Sequence, residues 1–477
     1  MTIRAFALSI GASIALSACV AGPPPNIATT APDLPLSFAY APDEAVSTSV
    51  ENLLPNNDKA FAILSRVAQD GSPTLAEASA RIDAARARAA GTGANRSPSI
   101  GAGGSADFQR TNPAQFGAGL PPGIQFDNER VSYSATLSAS WDPDLFGRLR
   151  AQERAALAQL DAAGADAAGV RLALIAEVAG AVIDWRTLTA RERALKEDLV
   201  AAESLVTLAD IRERAGIAPG FDKVRAETSA EGSRSRIALL GSERVQIVGR
   251  LVSLTALSAQ NVRTALTEAS TNSDTPPVPA SLPSQLLANR PDVQASAARL
   301  AASDAELYAA AAQRFPQFTL SAALGLLAFD LGDLFDGSSV VGSASGSLLA
   351  PLLDFGRIQA EIDVAAANKR AAFQAYRGQV FNALGEAETA YGLVAASDRQ
   401  LTLAVRERDS ANRAAELAEV RFRAGLSDFL TVLEARRSAD ASGERAAAAS
   451  GRAARSRVLL WQALGGGNQA MTRSTSQ

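Results

Sequence analysis

Between Val131 and Trp141 apolar and polar residues alternate without a break. Val131, Tyr133, Ala135, Leu137, Ala139 and Trp141 share one parity, and Ser132, Ser134, Thr136, Ser138 and Ser140 share the other. A period of two predicts a strand with one apolar and one polar face. Three further segments behave alike. Near Ser99–Phe108, Ile100, Ala102, Ala106 and Phe108 take one face; Phe318, Leu320, Ala322 and Leu324 oppose Gln317, Thr319 and Ser321; and over Ser339–Leu348, Ala344, Gly346 and Leu348 alternate with Ser343, Ser345 and Ser347. About ten such residues at ~3.3 Å each, tilted by about 45°, cross roughly 23 Å, the apolar band of an outer-membrane barrel. Four strands cannot close such a barrel, whose sizes begin near eight, and an open edge in lipid leaves backbone groups unpaired. The missing strands are expected from other copies of the chain.

After Trp141 the period changes. No proline occurs from Leu149 to Arg214, and roughly 65 residues at ~1.5 Å each predict a helix of about 100 Å. Ala181, Trp185, Leu188, Glu192, Leu195, Leu199, Ala202, Val206 and Ala209 step by four and three, a helix-packing seam broken by one Glu. Gly216, followed by Pro219 and Gly220, ends this helix, and Gly425 ends a second long helix. Return helices are expected over Asp222–Leu266 and Leu430–Leu464, giving two hairpins that project to a common tip. An earlier helix is expected over Gly71–Ala90, with Ser72 as N-cap and Pro73 in its first turn.

The chain is a tandem duplication. "LFGRLRA" at Leu145–Ala151 recurs as "DFGRIQA" at Asp354–Ala360, and "RERAGI" at Arg212–Ile217 recurs as "RFRAGL" at Arg421–Leu426, both 209 residues on. Glu177 and Ala181 meet Glu386 and Ala390 at the same offset. Upstream, "RSPSI" at Arg96–Ile100 matches "RFPQF" at Arg314–Phe318 with an offset of 218, so the first repeat holds nine extra residues in between. They fall in the Gly-, Pro- and Asn-rich stretch Gln109–Arg130, read as a hairpin loop whose counterpart near Phe329–Ser338 is shorter.

Composition removes several functions. Among 477 residues there is no histidine and one cysteine, which excludes histidine-based catalysis and the usual zinc sites; no metal site is expected. A net charge of -4 gives no basic signature for nucleic acid. "GAGG" at Gly101–Gly104 is followed by neither lysine nor helix, so it is strand rather than phosphate loop. Aromatics are 5% against 47% apolar, so small alanine dominates and suits close helix packing.

Arg4, an apolar run Ala5–Leu16 and small residues before Cys19 form a secretory signal too short to span a membrane. Leu16, Ser17, Ala18 and Cys19 resemble the bacterial lipobox, which implies a lipid on Cys19; Val20 rather than Asp implies outer-membrane sorting. Beyond that covalent lipid no cofactor is expected. Residues 1–18 are read as signal peptide, 19–55 as an extended arm, 56–265 and 286–465 as the two repeats, 266–285 as a linker and 466–477 as a tail.

With the duplication and the lipobox, the stretches "LPSQLLANRPDVQASAARL", "LLAPLLDFGRIQAEI", "RFRAGLSDFLTVLEARRS" and "LLWQALGGG" resemble the TolC family of outer membrane efflux proteins, lipoprotein branch. The resemblance implies a mainly α protein with membrane β. Three copies would share a 12-stranded outer-membrane barrel continued by a periplasmic α-helical barrel, in contact with outer-membrane lipid. It further implies a passive exit duct with no enzyme activity, served by a periplasmic adaptor and an inner-membrane RND-type pump. Trp141, Pro143, Gly147 and Gly356 would mark where strand becomes helix, with Trp141 and Phe146 at the membrane interface and Asp142 capping the new helix. Arg212, Arg214, Gly216, Arg421, Arg423 and Gly425 match the family's adaptor-docking tip. Arg421, Phe422 and Glu434 are gate candidates, although Phe422 replaces the family's tyrosine and Thr431 one of its acids. The alternatives are a non-pore periplasmic structural or adaptor lipoprotein and the duct of a type I secretion system.

Overall fold

The computed structural model describes residues 27, 29, 32–42, 49–112, 129–268, 276–279 and 288–466. The signal, the lipobox with Cys19, the body of the Gln109–Arg130 loop, most of the 266–285 linker and nearly all of the tail lie outside them. Among the described residues the order is α1 (Lys59–Gly71), α2 (Pro73–Ala94), β1 (Ser99–Arg110), β2 (Glu129–Trp141), α3 (Arg148–Arg214), α4 (Gly220–Thr255), α5 (Ala259–Thr267), α6 (Pro291–Ala312), β3 (Gln317–Ala328), β4 (Val340–Leu349), α7 (Arg357–Arg423) and α8 (Phe429–Ala463). The two long helices each run 67 residues. No described helix is long and apolar enough to cross a membrane.

The four strands form one antiparallel sheet in the order β1-β2-β3-β4. Its register carries the duplication. Ser99 faces Ser140 in the first hairpin and Gln317 faces Leu349 in the second, so the first strands differ by 218 residues and the second strands by 209, the two offsets of the sequence. Across the sheet Ala102, Leu137, Leu324 and Gly342 share one row, whereas Ser99, Ser140, Ser321 and Ser345 share another of opposite face. One face is therefore apolar up to the Arg110–Glu129 pair at the end of the first hairpin, and the other is rich in serine.

Two compact units cut across the repeats. Described residues within 83–162 and 297–375, with 27 and 29, make the first, which holds the sheet. Here Leu307 and Ala311 of α6 pack on Ile358, Ile362 and Ala366 of α7. The second comprises the described residues within 31–82, 163–296 and 376–477. Its core joins Leu64, Val178, Ala181, Val182, Leu251, Leu266, Val380, Tyr391 and Leu460, with alanines that let the helices approach closely. Arg290 of the "NRPD" stretch explains that motif physically. It is buried, donates to Asp292, Glu386 and the Ala463 carbonyl, and so ties the start of α6 to the end of α8. The N-terminal arm is held by Glu388, whose carboxylate accepts the backbone N–H groups of Ala39 and Tyr40, while Phe38 packs on Tyr391.

Two local expectations are corrected. The helix expected over Asp222–Leu266 is broken, because Ala256 turns left-handed at φ 55° and Ser258 caps a new helix through Asn261 N–H. No glycine or proline marks the spot, so periodicity alone runs through it. Ser72 precedes Pro73 as expected, but its hydroxyl is buried and makes no capping bond; only its carbonyl accepts, from Ala76.

The β2–β3 seam between repeats is tight at Gly325, opposite Thr136. A Cβ there would lie 2.5 Å from the Ala135 carbonyl oxygen and 3.0 Å from Thr136 Cα. Backbone cannot yield as a side chain can. Gly325→Ala is expected to cost about 1–3 kcal/mol, read as a lower thermal midpoint in detergent; an unchanged midpoint would mean that the seam is looser than this.

Candidate functional site

Two regions carry the sequence-predicted residues, one in each unit. In the sheet unit, strand becomes helix by the same device twice. β2 ends at Trp141, whose indole N–H donates to the Arg96 carbonyl at 2.9 Å. Pro143 follows, and Gly147 turns at φ 75° before α3 begins. The cap is Asp144 rather than Asp142. Asp144 accepts from the N–H groups of Leu149 and Arg150, while Asp142 supports it from one step back by accepting Asp144 N–H and pairing with Arg148. After β4, Gly356 turns at φ 88° and Asp354 accepts from Gly356 and Ile358 N–H. Phe146 stacks on Phe315 with centroids 4.9 Å apart.

The helical unit holds the tips. At the end of α3 Gly216 N–H donates to the Glu213 carbonyl and Ile217 N–H to that of Arg212; at the end of α7 Gly425 donates to Phe422 and Leu426 to Arg421. Both are Schellman turns with the glycine at positive φ, 68° and 74°. This accounts for the recurring R-x-R-A-G-apolar pattern. Orphan carbonyls are bonded, two arginines face the negative end of the helix dipole, and the apolar residue after glycine projects outward. Ile217 and Leu426 are 65% and 69% exposed. Arg214 pairs with Asp210, Arg423 with Glu419, and Arg421 is exposed.

The gate candidates separate. Phe422 is 4% exposed, packed edge-on against Phe429 at 5.7 Å, with the Arg212 guanidinium 4.5 Å above its ring. Arg212 thereby joins the first hairpin to the second. Glu434 is exposed on α8. Thr431 bonds the carboxylate of Asp428, the N-cap of α8, through its backbone and its hydroxyl. Along the seam, Glu192 is answered by Arg244 and by Lys196 at 2.8 Å.

One pair escaped sequence reasoning. Asp198 of α3 and Asp440 of α8 set their carboxyls against each other, and two acids sit together in this way when one keeps its proton. One buried carboxyl oxygen of Asp198 has no hydrogen-bond partner among the described residues. Burial, then the charge of Asp440, pushes Asp198 up to about 8. Burial also raises Asp440, against the pull of Asp198, Arg236, Arg436 and Arg437. The signal was present in the seam, since Asp198 follows inward Leu195 by three residues. The folded chain keeps this proton to about pH 8, whereas a free aspartate loses it near 3.8. Stability should therefore fall as pH rises from about 4 to about 8 and then level off. Asp198→Asn, which donates at every pH, should raise the thermal midpoint at pH 8 by about 2–4 °C and leave it unchanged at pH 4. Equal pH slopes in both proteins would remove the retained proton.

Comparison with known proteins places this architecture. The profile of the outer membrane efflux protein family matches twice, over residues 64–257 and 282–466. The pyoverdine export outer membrane protein OpmQ of Pseudomonas putida is 30% identical over 98% of this chain and 99% of its own. The outer membrane protein OprJ of Pseudomonas aeruginosa is 31% identical over 84% and 83%. The solved outer-membrane channel OprN superposes with a TM-score of 0.84 at 27% identity, covering 94% of this chain and 99% of that one. These are transport proteins and not enzymes. With a duplicated hairpin fold, a two-faced sheet and this similarity along nearly its whole length, the chain belongs to the outer membrane efflux protein family, whose members form the outer-membrane exit of export systems.

Proposed function

We propose that three copies form a passive duct for small molecules, fed by a periplasmic adaptor and an RND-type pump of the inner membrane. The observation that carries this is the sheet, apolar on one face, serine-rich on the other, and ending in two unpaired edges, β1 and β4, among the described residues. In lipid such edges must close, and the polar face then lines water. Three chains of four strands give a barrel of twelve.

The tips fit an adaptor that ends in helical hairpins. Each presents an apolar knob, Ile217 or Leu426, beside arginines in the last helical turn. Cys19 is the proposed lipid anchor. The 19 residues from Cys19 to Phe38 reach about 65 Å when extended, so a lipid there leaves Phe38 free to stay against Tyr391. The cargo is proposed to be small and chosen by the pump, in keeping with a relative named for pyoverdine export.

The mass of the mature protein extracted from outer membranes in mild detergent tests the assembly. A trimer is expected, and a monomer would sink the duct. At the tip, Arg214→Glu with Arg423→Glu should weaken adaptor binding by at least about tenfold while leaving the amount in the membrane unchanged. Glu434→Ala is expected to raise conductance in a planar bilayer by loosening the closed tip; unchanged conductance would take Glu434 out of the gate.

A further inference from the structure

The seam between the two repeats inside one chain is a template for the seam between two chains. β2 closes the first repeat and β3 opens the second, with Thr136 opposite Gly325, Leu137 opposite Leu324 and Ser138 opposite Ala323. β4 is the counterpart of β2, 209 residues on, and β1 is the counterpart of β3, 218 residues back. Both hairpins obey these offsets without slippage. Moving the β2–β3 seam by the same offsets fixes how the two free edges meet.

We propose that β4 pairs antiparallel with β1 of a second copy of this chain, with Ser345 facing Asp107, Gly346 facing Ala106 and Ser347 facing Ser105 of that copy. This register rests on the closed-barrel reading above and adds to it the alignment of the edges.

Three observations support it. The first is parity: Ala344, Gly346 and Leu348 of β4 meet Phe108, Ala106 and Gly104 on the apolar row of β1, and Ser343, Ser345 and Ser347 meet Gln109, Asp107 and Ser105. A slip of one residue would turn serines into lipid. The second is size. Leu348 and Leu349, both exposed in the single chain, fall opposite Gly104 and Gly103, and a Cβ at Gly103 would meet nothing within 4 Å. Phe108 falls opposite Ala344, between Gly342 and Gly346.

The third lies at the strand-to-helix corner. Phe146 stacks on Phe315 within the chain. Its counterpart Phe355 is 91% exposed and sits at φ 52°, a conformation a bulky residue rarely adopts. The same offsets place Phe355 against Ser97 of the second copy, where a small residue leaves room for the ring.

Slips of two residues preserve parity and are the real competitors; they bring Ser345 opposite Ser105 or Gln109. Directly opposed residues have Cα atoms about 4.5–5.5 Å apart, within disulfide reach, whereas a two-residue slip moves the Cβ atoms to roughly 7 Å or more. In the full-length chain, Ser345→Cys is combined in turn with Asp107→Cys, Ser105→Cys and Gln109→Cys, and Ser347→Cys with Ser105→Cys as a second facing pair. After oxidation in outer membranes, covalent trimer on non-reducing gels is expected from the 345/107 and 347/105 pairs, several-fold above the other two. Stronger cross-linking in 345/105 or 345/109 overturns the register and leaves the barrel standing. So does a trimeric mass in detergent without cross-linking in any pair. No cross-linking together with a monomeric mass overturns the barrel and the register together.

Discussion

A backbone N–H or C=O that faces lipid has no water to bond, and leaving it unpaired costs several kcal/mol. That constraint governs the sheet. It demands that every strand find two neighbours, which the four strands of one chain cannot supply to β1 and β4. It also explains why the strands are so regular. No described strand contains proline, pairs run without a bulge from Ser99 to Arg110, and the rows keep one face apolar and the other hydroxyl-rich. A sheet meant for water could tolerate an irregular edge; this one cannot.

The helices answer a different demand. With few aromatics, the second unit gains its stability from close approach, and alanine supplies it along the packed faces of α3, α7 and α8. Close packing leaves little room for polar groups, so each buried charge has a specific partner. Arg186 holds Asp58, Arg457 holds Asp398, and Arg290 holds Asp292 and Glu386. Such pairs add little net stability against an apolar alternative, yet removing one partner is costly, so they fix which helix lies beside which. The Asp198–Asp440 pair is the exception, because each faces another acid and burial holds a proton on Asp198.

Much of this was legible in the sequence, because each feature rests on a local rule. Alternation from Val131 to Trp141 is the sheet's pleat, and the glycine in R-x-R-A-G is the left-handed residue that a Schellman turn requires. The two offsets of the duplication reappear as strand register. What was not legible depends on neighbours distant in sequence. Ala256 takes a left-handed turn without glycine, and the helix restarts only because Ser258 can cap it. Phe422 reads as an aromatic at the tip, but its burial is decided by Phe429 and by Arg212 from the other repeat. Asp142 and Asp144 are equally plausible caps on paper; the turn at Asp144, φ 54°, chooses between them.

Duplication gives two hairpins of one design, but the repeats have not stayed equal at their tips. Where the second has Asp428 as N-cap, with its carboxylate bonded twice by Thr431, the first has Pro219, which offers no side-chain cap. A good cap contributes about 1 kcal/mol. Where the second has Phe422 and Phe429 packed together, the first has Glu213 and Gly220 at the same offset, one a carboxylate and the other without a side chain. The aromatic anchor of the tip core therefore belongs wholly to the second hairpin, and the first is fastened to it by Arg212 lying on Phe422. The inequality is written into each chain, whose first hairpin lacks both the side-chain N-cap and the packed aromatic pair of its second.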